Sequence, residues 1–223
     1  MKAGYFIKHL SGTLVFFAIL FISAGRADYW QGWVYVVISL IMFTLGYTLL
    51  KPESKLLAER SKPGKEVIKT DKIILGLSFL FSLTVYLTAG LDSGRYHWSP
   101  DTGTGLTVTG IILTATGQFL FLLAQKQNKF FSSTIRIQTD RGHTVCDKGL
   151  YSVIRHPAYL GSEIQSMGFP LLTGSLWCYI PSIAMIVLSL IRTSVEDKIL
   201  MKELPGYREY SRKTRYRMLP YIW

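Results

Sequence analysis

Charge is what this sequence lacks most. Of its 223 residues only 17% are charged, against 49% hydrophobic, where a soluble domain carries about a quarter. The shortfall excludes an ordinary water-exposed globule and points to a membrane. Cysteine is nearly absent too. Cys146 and Cys178 are too few and too differently placed for a disulfide framework or a metal site, so two unpaired thiols are expected. No strand-borne G-x-G-x-x-G occurs, which excludes a soluble Rossmann-type nucleotide site. No repeat or low-complexity tract is visible. The apolar start, Leu10 to Ala24, has no A-x-A-like cleavage site and is followed at once by another apolar run. It is expected to be retained as a first transmembrane helix.

What is present is a series of apolar runs near the length of about 20 residues that crosses a bilayer as helix. They fall at roughly 10–25, 32–50, 73–91, 105–125, 158–173 and 176–193. The last two meet at Leu172-Thr173-Gly174-Ser175 and predict a tight helical hairpin. The expected fold is therefore all-α: a polytopic membrane bundle of about six transmembrane helices. Residues 1–125 form the N-terminal helices and 126–223 a core with a cytoplasmic loop, the hairpin and a C-terminal tail. With both termini cytoplasmic, twenty-three of the 25 Lys and Arg residues lie inside and only Arg26 and Arg95 outside. That is a strong positive-inside bias, so the net charge of +11 needs no nucleic acid to explain it. Trp30, Trp33, Trp98, Trp177 and Trp223 fall at span ends, as interfacial aromatics do. The outer loops carry little chemistry. The inner ones hold nearly all titratable groups, so an active site faces the cytoplasm.

The densest group of special residues is Tyr151 to Gly161, YSVIRHPAYLG. Proline is favoured at the first helical position, where its missing N–H would be unpaired anyway. Pro157 is thus expected to start the fifth helix with His156 at its N-cap, and the free N–H groups of the first turn make an anion-binding end. Tyr159 and Glu163, four apart, share a face. Gly161 and Gly168 permit close approach of another helix. Interfacial anchoring explains any one of these residues alone. It explains the set poorly, and it does not explain an ionisable Glu163 inside a membrane helix. A second group follows the sixth span. Arg192, Glu196 and Leu200 share a helix face, Pro205-Gly206 ends that helix, and Tyr207 and Tyr210 share one side of a short turn or helix. Arg215 and Arg217 come next.

The run GHTVCDKGLYSVIRHPAYLG, with the acidic pair and tyrosines two spans later, resembles the isoprenylcysteine carboxyl methyltransferase family. That family shares its core with phospholipid N-methyltransferases and, more distantly, with sterol reductases. The resemblance covers roughly 130–223. It implies S-adenosylmethionine bound between the last hairpin and the tail. His156, Pro157 and Tyr159 then belong to the cofactor motif, Gly149 and Tyr151 shape the approach loop, and Glu196, Tyr207 and Tyr210 complete the cofactor site. Arg192 matches the arginine before the acidic pair. The sequence departs from the family at Asp197, where a glutamate is usual, and at LPGY, which leaves the register of Arg215 and Arg217 open.

The chemistry of the residues agrees with that cofactor. A helix N-terminus with His156 and arginines suits a carboxylate, Glu196 suits an ammonium or ribose, and tyrosine rings suit a sulfonium by cation–π attraction. A carboxylate acceptor needs a cation to orient it, Arg192 or Arg215. An amine acceptor needs a base, Glu196 or Glu163. The leading expectation is carboxyl methylation of an isoprenylcysteine-like lipid substrate, drawn from among the membrane lipids. The alternatives are phospholipid N-methylation, an NADPH-dependent sterol-type reductase, and a non-catalytic membrane scaffold.

Overall fold

The computed structural model describes residues 2–50 and 68–223, with side chains from residue 10 onward. The basic stretch 51–67, most of one expected inner loop, lies outside the described residues. Seven α-helices are present among the described residues: α1 (Lys2–Ala24), α2 (Trp30–Leu49), α3 (Lys69–Ala89), α4 (Gly103–Gln127), α5 (Pro157–Thr173), α6 (Tyr179–Glu203) and the short α7 (Tyr207–Lys213). The expected all-α helical bundle is what forms. Three helical stretches are long and apolar enough to cross a membrane, Trp30–Leu49, Lys69–Tyr96 and Gly103–Gln127, and Leu10–Ala24 is a shorter apolar helix.

The centre of the bundle is made by α4 packing along α5. Glycines set the spacing. A Cβ on Gly117 would lie 2.5 Å from the Gly161 carbonyl oxygen and the Gln165 nitrogen, and one on Gly168 would lie 2.7 Å from the Thr114 nitrogen. The helices touch backbone to backbone, as small residues allow in membranes. So Gly161 and Gly168 do admit a neighbouring helix, and that helix is α4. Farther from the loop-bearing end, Phe17, Leu20, Tyr35, Val85, Phe169 and Leu172 form one buried core. It joins the N-terminal helices to the hairpin.

The end that carries the α5–α6 turn differs from expectation. The third span does not stop near residue 91 but continues as a π-helix, Gly90–Tyr96. Gly90 and Gly94 press against α1, where a Cβ on Gly90 would lie 2.5 Å from the Leu20 carbonyl oxygen. Asp92, fully buried, accepts hydrogen bonds from the Ser99 hydroxyl at 2.6 Å, the Ser99 N–H at 2.7 Å and the Ser175 hydroxyl at 2.6 Å. The α5–α6 turn is thereby tied to the third span. Gly174 takes the left-handed conformation (φ 72°) that ends α5, so the hairpin tip falls where the sequence puts it. Trp30, Trp33, Trp98 and Trp177 are all more than half exposed at this end. The cysteines are free, Cys178 buried and Cys146 partly so.

Candidate functional site

At the opposite end the loop 128–156, α7 and the C-terminal tail close over the helices. Pro157 is the first residue of α5 and His156 its N-cap. Gly206 (φ 81°) starts α7. Tyr207 and Tyr210 are buried against each other, their ring centroids 5.4 Å apart.

One carboxylate organises this end. Asp197, 1% exposed, receives both Nε and Nη2 of Arg155 at 2.9 Å. It also receives the Tyr207 hydroxyl at 2.9 Å and Arg217 Nε at 3.0 Å, and His156 Nε2 lies 3.2 Å away. Burial alone would raise this carboxyl, but the bonds from His156 and Arg155 hold it well below the usual carboxylate range. Burial and the adjacent Asp197 charge push the Tyr207 hydroxyl far up, so it stays a donor. Arg155 also donates to the carbonyl oxygens of Thr214 and Arg215 at 2.9 and 2.7 Å, and the N–H groups of Arg155 and His156 bond the carbonyls of Tyr216 and Arg217. The R-H-P motif is thus a clasp that fastens the tail across the start of α5. The second acidic position is the hub of the clasp.

Beside the clasp lies a cavity of about 690 Å³, within the range of small-molecule and cofactor sites. Tyr151, His156, Tyr159, Arg192, Glu196, Tyr207 and Tyr210 all line it, so seven of the residues singled out from sequence converge. The Tyr159 hydroxyl donates to Glu196 at 2.6 Å, and the Arg192 guanidinium sits 5.7 Å over the Tyr159 ring. Leu200 continues the Arg192–Glu196 face into the wall. Phe16, Phe121, Phe130 and Phe131 make the other side apolar. The Tyr151 carbonyl accepts the Tyr210 hydroxyl at 2.6 Å.

Gly149, Pro157, Glu163 and Arg215, also named from the sequence, do not line the cavity. Gly149 (φ 60°) opens a short 3₁₀ turn against Gln127 rather than the cavity, and a side chain there would strike the Gln127 amide. Arg215 is exposed and does not line the cavity. It offers its carbonyl to Arg155, while Arg217 reaches inward. Glu163 does not line the cavity either. Its two carboxyl oxygens are buried without a hydrogen-bond partner among the described residues. Of the α5 helix residues, Ala158, Tyr159 and Ser162 line the cavity and Glu163 does not.

Sequence reasoning missed Asp71, His143 and the hub role of Asp197, and it placed Arg155 only as a flank of the helix start, not as the clasp on the tail. Fully buried Asp71, at the start of α3, accepts Arg192 Nε at 2.8 Å and the Ile135 N–H at 2.9 Å. Arg192 is thereby aimed at the cavity by a helix that carries no recognisable motif. His143 lines the cavity on the loop, its ring 4.5 Å from Phe130. Burial, with Arg141 and Arg136 acting in the same direction and Glu196 opposing, lowers its pKa, so it is neutral at pH 7 and available as a donor or acceptor.

The fold and site define a helical membrane bundle with a half-open cavity at one end, lined by both polar and apolar residues. A family described as "Protein of unknown function (DUF1295)" matches residues 72–214. That is more than half of the chain, and the protein belongs to this family, a membrane-associated group. The matched region runs from α3 through α7. It contains Arg155, His156, Tyr159, Arg192, Glu196, Asp197, Tyr207 and Tyr210, and begins one residue after Asp71.

Proposed function

We propose that the protein transfers a methyl group from S-adenosylmethionine to a lipidic acceptor, in a chamber facing the cytoplasm, with six spans and both termini inside. The observation that carries this reading is the cavity itself. It brings the R-H-P-x-Y residues His156 and Tyr159 together with Glu196 and the tail tyrosines Tyr207 and Tyr210, and it is polar on one wall and aromatic on the other. The residues present fit the cofactor. Glu196 suits its ammonium or ribose hydroxyls, and the α5 N-terminus with His156 suits its carboxylate. Tyr159, Tyr207 and Tyr210 offer ring faces or hydroxyls to a cationic sulfonium. When bound, the cofactor supplies an electrophilic methyl group.

The protein's own contribution is positioning and exclusion of water. Asp197 locks His156 and Tyr207 in place beside the cavity and, through Arg155 and Arg217, fastens the tail across the start of α5. Asp71 holds Arg192 so that its guanidinium stays fixed over Tyr159. A carboxylate acceptor, as on a prenylated cysteine, arrives ionised and needs only orientation by Arg192. An amine acceptor, as on a phospholipid headgroup, first loses a proton, and Glu196 is the carboxylate in the cavity to receive it. A second reading, reduction by NADPH, is favoured by the family's likeness to steroid 5-alpha-reductases.

Ligand-dependent stabilisation separates the two. A ligand at a hundred times its Kd stabilises the fold by about 2.7 kcal/mol. S-adenosylmethionine is expected to raise Tm in detergent and NADPH to leave it unchanged. Glu196→Gln should abolish the shift while keeping the unliganded Tm within a few degrees. A shift with NADPH alone would replace methyl transfer with reduction.

A further inference from the structure

A second cavity, of about 250 Å³, lies between α1, α2, α3 and α4. It shares Thr13, Phe16, Phe121 and Gln125 with the wall of the first, so the two adjoin. It extends along α2 from Leu50 to Tyr35, a length of about 22 Å at 1.5 Å per residue. A channel of this kind among membrane helices suits an apolar chain, yet its wall is not uniformly apolar. Gln118, Gln165 and Ser39 line it, together with Tyr35 and Tyr86, whose hydroxyls are hydrogen-bonded to each other. Gln118 Nε2 donates to Ser39 at 3.3 Å. The Gln165 amide makes no hydrogen bond among the described residues.

A free amide in a bilayer-embedded wall is costly unless something bonds it. A bare hydrocarbon chain gives it nothing. The helix geometry says where its partner lies. Tyr159 and Ser162 face the first cavity and Gln165 the second, and each step of three along α5 turns about 60° around its axis, which carries the row from one cavity to the other. From Tyr159 to Gln165 is about 9 Å along the axis. We infer that the second cavity holds the body of the acceptor, and that Gln165 is a specificity residue reading an uncharged carbonyl about 9 Å from the reacting end, as the ester of a glycerolipid provides. Gln118 with Ser39 stands across the channel as a second polar contact for the same region. The reacting end lies in the first cavity on the methyl-transfer reading, and the inference rests on that reading for the name of the reaction only.

The test uses purified full-length protein and three probes: dioleoyl phosphatidylethanolamine, its dioleyl diether counterpart, which lacks the ester carbonyls, and farnesylated cysteine. Binding is read by thermal stabilisation at fixed S-adenosylmethionine and again without it. The ester lipid is expected to bind about tenfold tighter than the diether, the scale of one hydrogen bond. In Gln165→Leu the preference should vanish while the response to S-adenosylmethionine is unchanged. Gln118→Leu should weaken it partly. Equal binding of ester and diether by the wild type, an undiminished preference in Gln165→Leu, or binding of the farnesyl probe alone would overturn the inference. Lipid discrimination without any response to S-adenosylmethionine would leave it standing and remove methyl transfer instead.

Discussion

Asp197 shows how one side chain decides the state of the site. It replaces the glutamate expected at the second acidic position, and the shorter side chain collects Arg155, His156, Tyr207 and Arg217 around two oxygens. Removing one partner of a buried, bonded ion pair costs about 3–5 kcal/mol. Asp197→Ala should therefore lower Tm strongly and make the tail from Tyr207 onward sensitive to protease. Its carboxyl is held down in the folded state, so its stabilisation is complete above the ordinary carboxylate pKa of about 4 and is lost as pH falls below it. Wild-type Tm should drop on acidification through that range, and Asp197→Ala should drop less. Equal acid sensitivity in the two proteins would show that another group sets the acid limit.

At the scale of elements, contact between α4 and α5 depends on glycine. A Cβ on Gly161 would lie 2.7 Å from the Gly117 carbonyl oxygen and the Phe121 nitrogen. Both are backbone atoms that cannot swing aside. Gly161→Val should destabilise by about 3 kcal/mol or more, at the upper end of overpacking costs. Gly105→Ala meets nothing within 4 Å and should change stability by no more than about 1 kcal/mol. Thermal melts of the two variants check the contrast, and equal melts would remove the close-packing explanation. The helices themselves were readable because apolar length and Pro and Gly punctuation are local signals. The helix start at Pro157, the turn at Gly174 and the stop before Gly206 fall where those residues put them. The π-helical extension through Tyr96 was not readable, because it depends on Gly90 and Gly94 meeting α1, a contact between distant segments.

For the molecule as a whole, the same distinction separates the visible part of the site from the hidden part. His156, Tyr159, Glu196, Tyr207 and Tyr210 sit in dense local patterns and do converge on one cavity. Asp71 pairs with Arg192 across 121 residues, and a lone aspartate among lysines near the start of an apolar helix gives no hint of such a partner. Arg155 reads as an interfacial anchor until the tail is seen folded against it. Glu163 suggested function by its mere presence in a membrane helix, but Ser162 and Gln165 are the neighbouring positions that line the cavities.

The most direct measurement incubates membranes containing the protein with S-adenosylmethionine labelled on its methyl carbon, beside membranes containing Glu196→Gln. Extracted lipids and proteins are then treated with mild base. Methyl transfer predicts label in the lipid or protein fraction of the wild type and none with the variant, released as methanol from an ester or retained as non-volatile product on an amine. Absence of label from every wild-type fraction, with the protein folded by its thermal melt, would contradict methyl transfer.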